Sequence, residues 1–166
     1  MPLPNKVNKF SLCLLALLAT QAIAGDAPTI LSRDGWQAKP ASSKMQSQNP
    51  NAILVHHTGS AQKIKTTLAA KMRGLQRFSQ AKEKLADGRT KPAWPDVPYH
   101  FYIAADGKIA EGRSITAVGD TNTGYDPTGY IQVVVEGNFD VEKPTANQLR
   151  SLQSLSCRCV SHGRAR

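Results

Sequence analysis

The chain has 166 residues, enough for one domain with a hydrophobic core but short for two. Its formal net charge is +9 at pH 7, which suits an anionic partner such as nucleic acid, lipid or cell-wall polymer, and equally suits simple solubility. The apolar run near the N-terminus is too short to cross a bilayer, which excludes a membrane-spanning segment there.

Residues 1–24 have the features of a secretory signal peptide. Lys6 and Lys9 give a positive start, Phe10–Ala19 is an apolar run of about ten residues, and Ala22–Ala24 offers a small-x-small cleavage pattern. The pattern predicts cleavage after residue 24 and export to a bacterial periplasm or to the medium, without a lipid anchor. Nucleic acid is rarely met outside the cytoplasm, so we expect no nucleic-acid partner.

The next segments predict a lead-in, a strand and a helix. Residues 25–51 are rich in Ser, Ala, Pro, Gln and Lys and are predicted to be an extended lead-in with Trp36 buried. The apolar, β-branched run Ala52–His56 predicts a buried strand. Apolar residues recur at helical spacing over Ala61–Ala86, which predicts a helix. Its other face is basic, and we expect it to be solvated, with contact to an acidic wall polymer as the alternative.

Three further segments complete the predicted fold. Alternating residues and an Asp-Gly turn predict a hairpin over Tyr99–Glu111. The β-branched run Tyr130–Phe139 predicts a central strand. Pro144–Leu155 predicts a helix with capping-box spacing at its start. Strands that alternate with helices predict an α/β fold, with a mixed central β-sheet flanked by helices.

Two histidines follow the first predicted strand directly. Successive side chains of a strand point to opposite faces, so His56 and His57 cannot both aim at one site. A neutral imidazole is a common zinc ligand, yet a histidine at a strand end is more often structural. The local sequence leaves both interpretations open.

The motifs of the chain, taken in order, resemble a known family. They are "ILVHHTG", "WPDVPYHFYIAADGKIAEGR", "AVGDTNTGYDPTGYIQVVVEGNF" and a helix that begins at Pro-Thr. Together they are similar to the zinc-dependent N-acetylmuramoyl-L-alanine amidases of type 2, which include the peptidoglycan recognition proteins. The resemblance implies an amidase-like domain at residues 52–156. It also implies a zinc hydrolase that cleaves the amide between N-acetylmuramic acid and the L-alanine of the peptidoglycan stem peptide.

The resemblance assigns roles to five residues. His56 matches the first zinc ligand of the family, and Tyr99 matches a tyrosine that assists at the scissile carbonyl oxygen. Trp94, His100 and Thr121 are candidates for substrate binding, because they lie in or beside loops that would line the groove. Trp94 would stack on sugar, whereas His100 could instead only pack or form a hydrogen bond.

The sequence also departs from the family pattern. Val134 stands where some relatives have a glutamate base, so Glu136 is interpreted as structural, and His57 as structural or as a support for the site. Thr121 stands where relatives often have a histidine. Two further zinc ligands of the family, a histidine and then a cysteine or aspartate, have no counterpart, and the C-terminal part of the fold looks truncated.

Residues 157–166, "CRCVSHGRAR", form an atypical tail that we expect to be disordered. Cys157, Cys159 and His162 are competent zinc ligands, and their use as replacements is the weaker alternative.

Three functional hypotheses follow. The first is an exported, monomeric zinc amidase of peptidoglycan, or a defective copy of one. The second is a non-catalytic module that binds peptidoglycan. The third is a basic surface protein whose histidine pair is structural.

Overall fold

The computed structural model describes residues 28–85 and 87–163, with side chains as far as residue 159. The predicted signal peptide lies outside the described residues. The elements in chain order are β1 (Ile30–Leu31), β2 (Ala52–His57), α1 (Leu68–Gln80), β3 (Glu83–Lys84), β4 (Thr90–Lys91), β5 (Phe101–Ile103), β6 (Ile109–Glu111), β7 (Tyr130–Val135) and α2 (Ala146–Gly163).

The larger sheet has five strands in the order β1-β6-β5-β7-β2. Strands β5 and β6 form the predicted hairpin and run antiparallel, whereas the pairs β1–β6, β5–β7 and β2–β7 are parallel. Strands β3 and β4 form a separate antiparallel pair. The predicted α/β fold with a mixed central sheet is therefore confirmed.

The two helices pack on opposite faces of β7. Val134 packs with Met72 of α1, while Val133 and Val135 pack with Leu155 of α2. Side chains alternate between the faces of a strand, so β7 contributes to both hydrophobic clusters. All three valines are at most 3% exposed, as expected for a central strand.

The first helix is shorter than the predicted Ala61–Ala86, so the predicted bounds are wrong. It begins at Leu68, because the Thr67 hydroxyl accepts a hydrogen bond from the Ala70 amide at 3.3 Å and caps the helix. Beyond Gln80 the chain becomes extended and enters β3.

The end of α1 is held by Lys91, the last residue of β4. Lys91 is 1% exposed, and its ammonium donates to the carbonyls of Ser79 at 2.9 Å and Ala81 at 2.6 Å. It also lies 4.5 Å from the centre of the Trp94 ring. A cation here complements the partial negative charge of the helix C-terminus.

The lead-in is part of the sheet. Ile30–Leu31 forms an edge strand beside β6, which is too short to show a periodicity in the sequence. Trp36 is fully buried, as predicted, and its indole N–H donates to the Glu111 carbonyl at 2.7 Å.

Strand β2 lies at the opposite edge, so the prediction of a buried strand is wrong. Among the described residues its only pairing partner is β7, and Val55 is 47% exposed. An apolar, β-branched run is compatible with either position, because composition alone does not report how many neighbours a strand has.

The second helix starts with the predicted capping box. The Gln148 amide donates to the Thr145 hydroxyl at 3.1 Å, and the Thr145 amide donates to the Gln148 side chain at 2.9 Å. The helix continues to Gly163 through Cys157 and Cys159, so the predicted disorder is wrong for residues 157–163. Neither described helix has the length and apolar character needed to cross a bilayer.

Candidate functional site

The two adjacent histidines serve different faces of β2. The His57 Nδ1 accepts a hydrogen bond from the Phe139 amide at 3.0 Å, and the two rings lie 5.9 Å apart. His56 is paired in register with Val134, whose side chain faces α1. These contacts agree with a structural role for His57 and leave His56 as the candidate for chemistry.

His56 lies between two tyrosines. Its ring centre is 5.7 Å from that of Tyr99, with a tilt of 46°, and 5.8 Å from that of Tyr125, with an angle of 25°. The Tyr125 hydroxyl is 3.1 Å from His56 Nε2. The structure therefore brings the predicted pair His56 and Tyr99 together and adds Tyr125, which the sequence argument missed.

The cluster of His56, Tyr99 and Tyr125 is electrically neutral at pH 7. Burial, and to a lesser extent His57, lowers the pKa of His56 from 6.5. Burial raises the pKa of Tyr99 to about 12, with a smaller contribution from Tyr125, and burial also raises the pKa of Tyr125. The cluster can therefore donate and accept hydrogen bonds, and its phenols keep their protons.

Tyr99 is positioned where the two ends of the β5–β6 hairpin meet. The Tyr99 carbonyl accepts a hydrogen bond from the Arg113 amide at 3.0 Å. A Cβ at Gly112 would lie 2.1 Å from that carbonyl oxygen, so the close approach of the two segments requires glycine at this position.

Tyr125 is carried by the loop Gly119–Gly129, which is anchored at several points. Asp120 forms an ion pair with Arg113, and the Asn122 carbonyl accepts a hydrogen bond from Arg89 at 2.8 Å. Within the loop, side-chain oxygens also accept hydrogen bonds from backbone amides two residues further on. Thr121 lies in this loop, and a hydrogen bond from its side chain opposes the rise in the pKa of Tyr125. Thr121 is therefore next to the cluster, and its role in substrate binding stays a prediction.

His100 is not available to a substrate, so its prediction as a binding residue is wrong. It is fully buried. Its Nδ1 accepts from the Gln132 amide at 2.7 Å, and its Nε2 therefore donates to the Ala117 carbonyl at 2.9 Å. Both ring nitrogens are used inside the protein, which is the packing role that the sequence had left open.

His100 is expected to make stability depend on pH. Burial lowers the pKa of His100 to about 4, against 6.5 in the unfolded chain, so the unfolded chain binds the proton more readily. The free energy of unfolding should fall by up to about 3 kcal/mol as the pH drops from about 6.5 to about 4. Urea unfolding at intervals over this range measures the effect. His100→Gln should lose less stability over the same range, and equal losses in the two proteins would contradict the assignment.

Trp94 does not offer a ring face to a sugar, so its predicted stacking role is also wrong. The residue is 9% exposed, and the Lys91 ammonium covers its ring. Its backbone amide donates to the Ser79 carbonyl at 2.8 Å. Trp94 therefore supports the end of α1.

Glu136 has the contacts of a structural residue. It is 2% exposed, and its carboxylate accepts from the Lys71 ammonium at 2.7 Å and from the amides of Lys63 and Ala105 at 2.8 Å each. Lys71 was expected on a solvated basic face and is instead 7% exposed in this ion pair. Val134, in the place of a glutamate base, is fully buried.

The described donors do not make up the zinc site of the family. In the part of the chain that the structure describes, no three His, Cys, Asp or Glu residues come together as a metal site, whereas a catalytic zinc needs three protein ligands. Cys157 is exposed, while Cys159 packs against the cluster around Leu155. The side chain of His162 lies outside the described residues.

Comparison with known proteins places these observations in a family. Residues 46–166 match the family described as N-acetylmuramoyl-L-alanine amidase. The chain is 31% identical over 145 residues to peptidoglycan-recognition protein SD of Drosophila simulans, across 86% of this chain and 72% of that protein. It is also 31% identical over 146 residues to N-acetylmuramoyl-L-alanine amidase of Homo sapiens, across 85% of this chain and 23% of that protein.

Solved structures agree with the sequence relatives. The crystal structure of Drosophila peptidoglycan recognition protein SD is similar with a TM-score of 0.67 and 28% identity, over 82% of this chain and 76% of that one. Peptidoglycan recognition protein LE, solved in complex with tracheal cytotoxin, a monomeric diaminopimelic acid-type peptidoglycan, gives a TM-score of 0.66 and 25% identity, over 81% and 75%. The family match and these relatives together show that the chain belongs to the type-2 N-acetylmuramoyl-L-alanine amidase and peptidoglycan recognition protein family.

Proposed function

We propose that this protein binds the muropeptide units of peptidoglycan on the face around His56. The observation that carries the proposal is the partly exposed cluster of His56, Tyr99 and Tyr125 at the end of β2. A relative of the same fold, protein LE, was solved with a peptidoglycan fragment bound. Export to a periplasm or to the medium, which the N-terminal pattern predicts, would bring the protein to this polymer.

The chemistry of the cluster suits such a ligand. A muropeptide carries amide, hydroxyl and carboxylate groups, and a neutral imidazole with two protonated phenols can form hydrogen bonds with all of them. Because the three side chains are partly buried, these hydrogen bonds would be less screened than bonds formed in open water. The basic net charge of the chain would favour the approach of an anionic wall fragment.

Cleavage of the N-acetylmuramic acid to L-alanine bond, with zinc as cofactor, is the second candidate function. The contact between Tyr99 and His56 favours it, because Tyr99 keeps its proton and could donate a hydrogen bond to the scissile carbonyl oxygen. His56 would be the one zinc ligand that the described residues supply. A zinc centre here would need two further ligands that the described residues do not supply.

One set of measurements separates the two functions. Calorimetry with a soluble muropeptide, with and without a chelator, reports binding, and release of stem peptide from purified wall, with and without added zinc, reports cleavage. Binding that survives the chelator, without release, supports the binding function. Release that needs zinc establishes the amidase, and absence of both binding and release overturns the proposal.

His56→Ala tests the place of the site. Loss of the imidazole is expected to weaken muropeptide binding about tenfold, the effect of one or two lost hydrogen bonds. His57→Ala is the matched control, since the adjacent side chain serves the opposite face, and its binding should change little once circular dichroism confirms folding. Equal muropeptide binding by wild type and His56→Ala would show that the binding site lies elsewhere.

A further inference from the structure

Tyr125 makes a specific contact with the imidazole at the centre of the proposed site. Its hydroxyl lies 3.1 Å from His56 Nε2, and its ring is stacked at 25° over the same imidazole. The other ring nitrogen, Nδ1, has no hydrogen-bond partner among the residues that the structure describes. The two nitrogens of His56 are therefore inequivalent, because among the described residues only Nε2 has a hydrogen-bond partner.

The position of Tyr125 is fixed by its loop. The Arg113–Asp120 ion pair holds the start of the loop, and Arg89 binds the Asn122 carbonyl. After Tyr125, the Asp126 carboxylate accepts from the Thr128 amide at 2.9 Å and closes a tight turn. The anchored loop therefore holds the Tyr125 hydroxyl next to His56.

The chemistry of the pair sets the direction of the hydrogen bond. A phenol is a better proton donor than a neutral imidazole N–H, and an imidazole nitrogen lone pair is a better acceptor than a phenol oxygen. The proton of Tyr125 is then directed to Nε2.

We propose that Tyr125 is a positioning residue that donates its hydroxyl hydrogen to Nε2 and thereby keeps the proton of His56 on Nδ1. In this tautomer both ring nitrogens are occupied, one by the phenol and one by hydrogen. His56 then presents an N–H donor, rather than a metal-binding lone pair, to an acceptor oxygen of the bound molecule, such as a carbonyl or carboxylate. This role rests on the proposed muropeptide function and gives the His56 imidazole a task in a site whose described donors do not complete a zinc centre.

The tautomer is tested directly in the free protein. With nitrogen-15 label, long-range proton–nitrogen NMR correlations distinguish Nδ1–H from Nε2–H for His56. We expect Nδ1–H in the wild-type protein and a shift toward Nε2–H in Tyr125→Phe. Tyr99→Phe is the control, because it removes the other phenol beside the same ring and should leave the tautomer unchanged.

Ligand measurements complete the test. Tyr125→Phe should bind a soluble muropeptide about tenfold more weakly than wild type, and the wild-type affinity should be the same with a chelator present. In calorimetric titration with zinc alone, we expect no zinc binding that depends on His56. Wild type and His56→Ala should therefore give the same result. A wild-type Nε2–H tautomer, a tautomer unchanged in Tyr125→Phe, or zinc binding lost in His56→Ala would each overturn the proposal. If no muropeptide binds at all, the proposed function fails, while the NMR result still decides the role of Tyr125.

Discussion

Replacing Glu136 with alanine is expected to lower the free energy of unfolding by about 3–5 kcal/mol, the usual result of breaking a buried ion pair from one side. The Glu136 carboxylate is the partner of the Lys71 ammonium at 2.7 Å, and both side chains are at most 7% exposed. Without it, the buried Lys71 ammonium would lose its ion-pair partner, and the amides of Lys63 and Ala105 would lose their acceptor. The contact ties α1, the segment before it and the β5–β6 turn to the end of β7.

Urea unfolding followed by circular dichroism measures this loss. Glu136→Gln should fall between wild type and Glu136→Ala, because an amide oxygen can still accept a hydrogen bond. Asp87→Ala is the matched control, since its ion pair with Arg89 is exposed and such pairs contribute little. If Glu136→Ala unfolds at the same urea concentration as Asp87→Ala, the ion pair does not hold these segments together.

Replacing Arg113 with methionine should reduce both stability and muropeptide binding. The guanidinium is 2% exposed and donates to the carbonyls of Val97 at 2.6 Å, Val118 at 2.5 Å and Asp96 at 3.1 Å, as well as to Asp120. Methionine would leave several buried acceptors unpaired, and we expect a cost of about 3–5 kcal/mol. The substitution would also remove an anchor of the loop that carries Tyr125. We therefore expect muropeptide binding to weaken more than it would after a change far from this loop.

Arg113→Lys sharpens the test. Lysine keeps the positive charge but cannot match the planar fork of the guanidinium, so the loop should be only partly held and both losses should be intermediate. Lys108→Ala, which removes an exposed ion pair with Asp106, should change neither quantity. Chemical unfolding and muropeptide calorimetry on the same samples provide the readouts. A stable Arg113→Met protein with wild-type affinity would show that the loop needs no such anchor.

Local patterns predicted the parts of the fold that local physics determines. The capping box at Thr145 and Gln148 lies within four residues, and the hairpin turn at Asp106-Gly107 lies within two, so each could be recognised from the sequence. The end of α1 could not, because Lys91 reaches back to the helix from beyond a separate β3–β4 turn. The edge position of β2 likewise depends on which strands assemble beside it.

The residues of the candidate site also divide into those that the sequence could predict and those that it could not. His56 and Tyr99 were predicted from their match to family motifs, and the structure places their ring centres 5.7 Å apart. Tyr125 was missed because its contact with His56 depends on how the loop is anchored by Arg113. Trp94 and His100 were misassigned because burial by distant segments, rather than residue type, decides whether a side chain reaches a ligand.

The pairing pattern of the central sheet has a consequence for how the protein reaches its native state. Ala52 pairs with Tyr130, and Ile30 pairs with Ile109, so most of the chain must be present before either edge of the sheet can close. Such a high contact order predicts slow folding relative to a helical protein of similar size. An N-terminal fragment that stops before β7 would lack the strand on which both hydrophobic clusters are built, and it should remain unfolded.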